Sequence, residues 1–437
     1  MKTTQDKNWH LIRNDNGEWI SDEYAVFISE LEATVLRVYA AKQGKQLSIQ
    51  HGQDGLLWCY KHEFEAIDLP SQTTKIEQRT LKIKKRLTMA EKTSIEQYKK
   101  SETQIEYENN AILHPLRQLV PKAPSGRTRP IALPKYVSFT IEEDTNTLCL
   151  YIQEQEGIRE GKKVKVNATD HNMQSDNAAF EGWAICLKAW LPNTVNKVEL
   201  KWDVPSNGET NLHYRRFCYR VIKMLDAYEW FTINETNKAG IDSFIHDLKG
   251  LQNNCGTTLP EKKFKHGGGV GENAVEYDMV HEQDFPQKMR EKYGVDNIYH
   301  QLPVGIKKDN ASFFAGTKAA IDLWGMHDNE LTIIELKYKN NMVGIISELF
   351  FYVNIIRDII LGRIDKPVAV LEYEKDLYGQ IHDMKRIHAR MLADTYHPLI
   401  KNKAVFDVLN NSRYIDIPID YNYDSYIYTP YSLEFVS

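Results

Sequence analysis

Two carboxylates and an ammonium fall within one short segment, AAIDLWGMHDNELTIIELKYK at 319–339: Asp322 near its start, and Glu335 and Lys337 two positions apart near its end. Side chains at i and i+2 of a strand share a face, so Glu335 and Lys337 point the same way. Between them and Asp322, HDNE supplies turn residues in Asp328 and Asn329, which return one strand beside the other and bring Asp322 toward Glu335. The neighbours Ile321, Leu323, Trp324, Ile333, Ile334 and Leu336 are apolar, so a charge taken out of water here needs an opposite charge or a bound cation. Adjacent carboxylates hold a hard cation such as Mg²⁺, with Mn²⁺ as its substitute, through oxygen, leaving positions for water and a phosphate oxygen. Such an ion lowers the pKa of its water, and a nearby lysine helps to stabilise charge developing on phosphate. An E-x-K pair alone more often marks a cross-strand salt bridge at a sheet edge, so the reading depends on the surrounding elements.

The first of these is MVGIISELFFYVNIIRDIILG, whose Glu348, Asn354, Arg357 and Asp358 argue against a bilayer span and for a buried helix over about 342–362. At about 100° per residue, Ser347, Asn354 and Asp358 share one stripe, with Arg357 at its margin, and that stripe is expected to face solvent. Glu348 projects elsewhere, among Tyr352, Ile355 and Ile359, on the face expected to pack on a sheet. Tyr352 one turn on, together with Lys337 or a metal, would satisfy it there; snorkelling from the helix edge is the alternative. Around this helix the pattern reads as a short helix (285–293), a strand (298–306), a hairpin (319–338), the long helix, a strand in PVAVLEYE and a further helix (376–398). The order is α-β-β-β-α-β.

With these residues in this order, 263–437 resembles the PD-(D/E)XK nuclease superfamily. The resemblance implies a restriction-endonuclease-like core with a mixed sheet around a metal-dependent phosphodiesterase site. Asp322 and Glu335 would be its metal ligands, Lys337 would assist the attacking water, and Glu348 with Tyr352 would take the supporting place of a Q-x-x-x-Y motif found in some branches. Ile321 stands where the pattern often has Pro. The first helix of the family often adds another Glu, for which Glu282 is the candidate metal ligand and Glu276 its rival. Asp284 and Gln287 read as a capping box with Pro286 in the first turn, which starts a helix just after Glu282. The implied activity is a Mg²⁺-dependent endonuclease acting on nucleic acid, expected to be DNA, as a restriction or anti-phage effector. The alternative is a nucleic-acid-binding or assembly protein that keeps the fold without cutting.

The rest of the 437 residues predicts a multidomain α+β chain. Residues 1–135 read as a β-rich domain with a basic helical and Pro-rich connector, 136–262 as an α+β middle domain, and 263–437 as the nuclease-like domain. The net charge of −5 hides an asymmetry: 75–135 holds 14 Lys/Arg against 6 Asp/Glu. Lys82, Lys84, Lys85, Arg86, Arg127 and Arg129 are its densest points and candidate phosphate contacts. Five scattered cysteines without a C-x-x-C pair indicate neither a disulfide framework nor a thiolate zinc site, which suits a reducing cytoplasm. The glycines of KHGGGVGEN read as a connection, since no G-x-x-x-x-G-K-[ST] occurs. The tyrosine-rich tail YIDIPIDYNYDSYIYTPYSLEF suits strand packing or a protein interface better than base stacking, because its acidic residues repel phosphate. A homo-oligomer, or a protein partner engaged through the first two domains, is expected to accompany the nuclease; a membrane is not.

Overall fold

The computed structural model describes residues 131–437 apart from 135, 160–161, 254–270, 317–318, 366–379 and 437, together with 104–121 and short pieces between 9 and 67. The chain divides into two compact units, Met1–Glu102 and Thr103–Ser437. In the first, four short antiparallel strands lie in the order Trp9–His10, Ala25–Ile28, Leu57–Tyr60, Ile49–His51. One expected strand, TVLRVYA, instead contains helical turns, and the reason is periodicity: Leu36 and Ala40 are one turn apart and both join the small core with Leu57, Cys59 and Ile67. Lys82, Lys84, Lys85, Arg86, Arg127 and Arg129 lie outside the described residues.

The second unit is α+β and contains two larger sheets. A four-stranded sheet is built from β1 (Val137–Glu142), β2 (Thr147–Ile152), β3 (Lys197–Trp202) and β4 (Phe231–Ile233), side by side in the order β4-β3-β2-β1. Helix α1 (Gln104–Leu119) covers the β1 edge, where buried Asn109 donates to the Val137 carbonyl (3.1 Å) and accepts from the Phe139 amide (2.9 Å). Helices α2 (Phe180–Trp190), α3 (Leu212–Ala227) and α4 (Glu235–Asp247) accompany this sheet. Helix α2 is absent from the expected elements because FEGWAICLKAW is apolar on nearly every face and so lacks an amphipathic period; burial on all sides is the consequence.

After α5 (Glu272–His281) and α6 (Phe285–Tyr293) comes a six-stranded sheet in the order β5-β6-β7-β8-β9-β10. These strands are Tyr299–Pro303, Ala320–His327, Glu330–Lys337, Arg386–Ala393, Ile419–Thr429 and Ser432–Val436. Strand β6 is antiparallel to both β5 and β7, β7, β8 and β9 run parallel, and β9–β10 is an antiparallel hairpin made from the tyrosine-rich tail. Helix α7 (Gly344–Ile360) links β7 to the parallel strands, and α8 (Lys403–Asn410) precedes β9. The helix expected over 376–398 is replaced by β8. RIHARMLA is rich in good helix formers, but Ile387, Ala389 and Met391 alternate into the core and the segment pairs on both sides, so sheet context overrides propensity. The strand expected in PVAVLEYE lies outside the described residues. Asp284 does precede α6, with Pro286 in the first turn, but its side chain makes no capping hydrogen bond; it pairs with Lys288, and Gln287 turns to Glu291.

The largest departure concerns α7. Its expected solvent stripe is buried, and each polar member meets a partner. Ser347 donates to Glu181 of α2 (2.8 Å), Asn354 accepts from the Tyr414 hydroxyl (2.7 Å), Asp358 pairs with Lys223 of α3 (2.6 Å), and Arg357 grips Asp416 through both carboxylate oxygens (2.6 and 2.7 Å). Helix α7 is therefore sandwiched, with the six-stranded sheet on one side and α2 and α3 on the other. One apolar cluster runs through both sheets, from Ile112 to Tyr421, so the segments divided at 262/263 share a core. Two glycines permit the close packing: a Cβ on Gly182 would strike Val343, and one on Gly344 would strike the Gln174 carbonyl. Among the described residues no helix is long and apolar enough to cross a membrane.

Candidate functional site

The β6–β7 hairpin closes through a two-residue turn, with Asp328 in the left-handed region at φ 51°. Its pairing runs from His327↔Glu330 to Leu323↔Ile334 and stops one pair short of Asp322 and Glu335. On the other edge of β6, Gln301 at φ 58° interrupts the register between His300↔Leu323 and Leu302↔Ile321. The sheet is thus opened on both sides of Asp322, whose Oδ2 accepts from the Leu336 amide (2.8 Å) instead. Backbone irregularity of this kind re-aims a side chain.

Glu335 and Lys337 share a face, as the spacing predicts. Lys337 Nζ lies 2.5 Å from Glu335 Oε1, 3.3 Å from Glu348 Oε2 and 3.4 Å from Glu272 Oε1, and donates to the Leu336 carbonyl (2.9 Å). Glu335, Lys337 and Glu348 are only 2%, 4% and 3% exposed. Glu348 reaches the site from α7 on the sheet-facing side, and its Oε1 accepts from Tyr352 (3.2 Å) and from Gln174 Nε2 (2.5 Å). One ammonium thus stands among four carboxylates, and their charges cannot all persist in so dry a place.

The titration of the group follows from that imbalance. Burial pushes Asp322 up to about 7, with Glu348 and Glu272 adding to the rise and Lys337 opposing it. Burial, then Asp322 and Glu348, push Glu335 well above the usual carboxylate range. Burial also works against a charged Glu348, but Lys337 and hydrogen bonds from Glu335 and Gln174 outweigh it and hold Glu348 below its ordinary value. Burial disfavours the Lys337 ammonium as well, yet Glu335, Glu348, Asp322 and Glu272 together raise it well above a normal lysine. Burial, then Glu348, keeps the Tyr352 hydroxyl protonated. Without a further cation, protons on Asp322 and Glu335 relieve most of the excess negative charge.

Two buried oxygens, Glu335 Oε2 and Glu348 Oε2, have no hydrogen-bond donor among the described residues beyond a proton carried by Glu335 itself and the Lys337 ammonium 3.3 Å from Glu348 Oε2. A proton or a cation would satisfy them, and an all-oxygen carboxylate set suits a hard divalent ion such as Mg²⁺ or Mn²⁺. As the side chains stand, no three His, Cys, Asp or Glu among the described residues converge at metal-ligand spacing, since Lys337 sits between the carboxylates.

The two first-helix candidates are placed elsewhere. Glu282 follows the C-terminal end of α5, ten residues and about 15 Å from Glu272 along the helix axis, so it stands away from Lys337. Glu276 is buried but accepts from Gln301 Nε2 (2.5 Å) and faces His300 (3.9 Å). The carboxylate that α5 delivers is Glu272, which also accepts from the Tyr338 amide (3.2 Å). Its signal was its place one helical turn before Glu276, directly after the glycine run. Gln174 carried no sequence signal: it arrives because Gly344 lets the 171–176 segment lie against the start of α7, where Asp176 accepts from the Val343 amide (3.0 Å).

Protein-family models, curated proteins and solved structures give no match to this chain.

Proposed function

We propose that this protein is a divalent-cation-dependent nuclease that hydrolyses phosphodiester bonds, with DNA as the expected substrate. The observation that carries the reading is the buried carboxylate cluster on Lys337, with more carboxylates than cations, at the end of β7 in a helix–three-strand–helix–strand arrangement. The order α6, β5, β6, β7, α7, β8, antiparallel through the first three strands and parallel at the last, supports a restriction-endonuclease-like core.

In this reading Asp322 and Glu335 hold the metal, which when bound supplies positive charge beside the scissile phosphate and a water of lowered pKa. Glu348 stays ionised chiefly through Lys337, with Gln174 and Tyr352 bonded to its other oxygen, and in turn holds Lys337 in place. Lys337, relieved of part of its hold on Glu335, offers its proton-bearing Nζ to the attacking water or to a phosphate oxygen. Glu272, the most exposed of the four carboxylates that surround Lys337, closes the site from α5.

The rival reading is a nucleic-acid-binding or assembly protein that retains this architecture without cutting, and the position of Lys337 between the carboxylates favours it. Calorimetric titration with Mn²⁺ separates the two. Binding that disappears in Glu335→Gln supports the nuclease, whereas a wild-type protein that takes up no Mn²⁺ supports the rival.

A further inference from the structure

Arg216 of α3 is 5% exposed, and among the described residues no carboxylate pairs with it. Its guanidinium donates to the Ala315 carbonyl (3.3 Å) and to Asn172 Oδ1 (3.3 Å), lies 3.1 Å from His213 Nδ1, and stands over the Phe351 ring at 6.0 Å. These hydrogen-bonding partners are neutral, so a full charge has left water without a carboxylate in direct contact among the described residues. The contrast lies one turn along the same helix. Arg220 is equally buried but holds the Glu181 carboxylate through Nε (2.5 Å) and Nη2. Among the described residues an anion meets Arg220 and none meets Arg216. Burial, followed by the repulsion of Arg220, pulls Arg216 down to about 10, although Tyr352 and Glu348 partly support its charge.

Arg216 is tied to the carboxylate cluster by a continuous chain. Its Nη2 donates to Asn172 Oδ1, Asn172 Nδ2 donates to Gln174 Oε1 (3.2 Å), and Gln174 Nε2 donates to Glu348 Oε1 (2.5 Å). Asn172 is exposed and Gln174 half-buried, so solvent reaches the linking segment between the buried Arg216 and the buried Glu348. On the other side the exposed Gly316, at φ 87°, lies so close that a Cβ there would touch Arg216 Nη1 at 3.8 Å.

We infer that Arg216 binds a backbone phosphate of the nucleic acid, adjacent to the bond that is cut. The inference rests on the nuclease reading above. A planar guanidinium pairs with phosphate through two parallel N–H···O bonds, and a phosphate would give Arg216 the anion that none of the described residues brings to it. The segment with β1–β4 would then be part of the active site: Gln174 positions Glu348 and Arg216 holds substrate.

The test is fluorescence anisotropy of the full chain with labelled 20-mers of double- and single-stranded DNA and RNA, over a salt series, with Ca²⁺ replacing Mg²⁺. Wild type, Arg216→Gln and Arg216→Lys are compared, and Mn²⁺ affinity is measured on the same samples. Arg216→Gln is expected to bind about tenfold more weakly and to lower the slope of log K against log salt by about one, with Mn²⁺ affinity unchanged. Arg216→Lys keeps the slope but binds more weakly, because an ammonium cannot pair bidentately. A folded Arg216→Gln with wild-type affinity and slope overturns the inference. Should that variant fail to fold, Arg216→Lys decides, and unchanged affinity overturns it; failure of both to fold makes Arg216 a core staple and also overturns it. A wild type that binds none of the four nucleic acids sinks the nuclease reading and the inference together, an outcome distinct from a wild type that binds while its variants match it.

Discussion

Asp322 gives the site a pH dependence whose sign can be worked out. Its carboxyl rises from an ordinary 3.8 to about 7 on folding, chiefly through burial. Between those values the folded protein keeps a proton that the unfolded chain has lost, so stability is greatest below about pH 4 and falls as pH rises toward about 7. A rise of about three units at about 1.4 kcal/mol each amounts to about 4 kcal/mol. Asp322 keeps some contact with solvent, which screens its charge and makes that figure an upper bound. Glu335, also raised, acts in the same direction. His300 and His397, which burial holds below their ordinary value, push the other way as pH falls, so the informative quantity is a difference between proteins in which they cancel. Asp322→Asn retains an acceptor for the Leu336 amide and removes the charge. Urea unfolding in EDTA at about pH 5 and about pH 7.5 should then show Asp322→Asn gaining on wild type as pH rises, by up to about 2.5 kcal/mol because part of the effect is already lost by pH 5, and Mg²⁺ should restore wild type at the higher pH. A difference independent of pH, or one that shifts in favour of wild type, refutes the reasoning.

Further expectations follow from the same packing. Glu181→Gln, which breaks the buried pair with Arg220 and weakens the Ser347 contact, should cost about 3–5 kcal/mol in denaturant unfolding. Gly344→Ala forces the Gln174 backbone away from α7; a loss of about 1–3 kcal/mol is expected, together with weaker Mn²⁺ binding as Glu348 loses its anchor. Glu272→Gln should reduce nucleic-acid cleavage while Glu282→Gln leaves it unchanged, because only the former touches Lys337.

How far the sequence reaches is clearest along the β6–β7 hairpin. Alternation, HDNE and the two-residue spacing of Glu335 and Lys337 place that pair on one strand face, and the turn sets Asp322 opposite Glu335 in the register. Glu348 and Tyr352 were legible as well, since a carboxylate on the apolar face of a helix demands partners. What stayed hidden is reciprocal burial of polar groups. Ser347, Asn354, Arg357 and Asp358 look like a solvated stripe until Glu181, Tyr414, Asp416 and Lys223 are brought to them by long-range packing. The same holds for Gln174 and Glu272, whose roles arise only when segments remote in the chain converge. In RIHARMLA, side chains good at helix formation were recruited to a central strand, and no local rule could show that.

The measurement that reaches furthest is cleavage of labelled double- and single-stranded DNA and RNA by the purified full chain, in Mg²⁺, Mn²⁺ or EDTA, with Glu335→Gln and Lys337→Met beside wild type. Cutting that requires the cation and disappears in both variants is the expected result. Cutting that survives in EDTA or in either variant, or Mn²⁺ binding by wild type with no cleavage of any of these substrates, would contradict it.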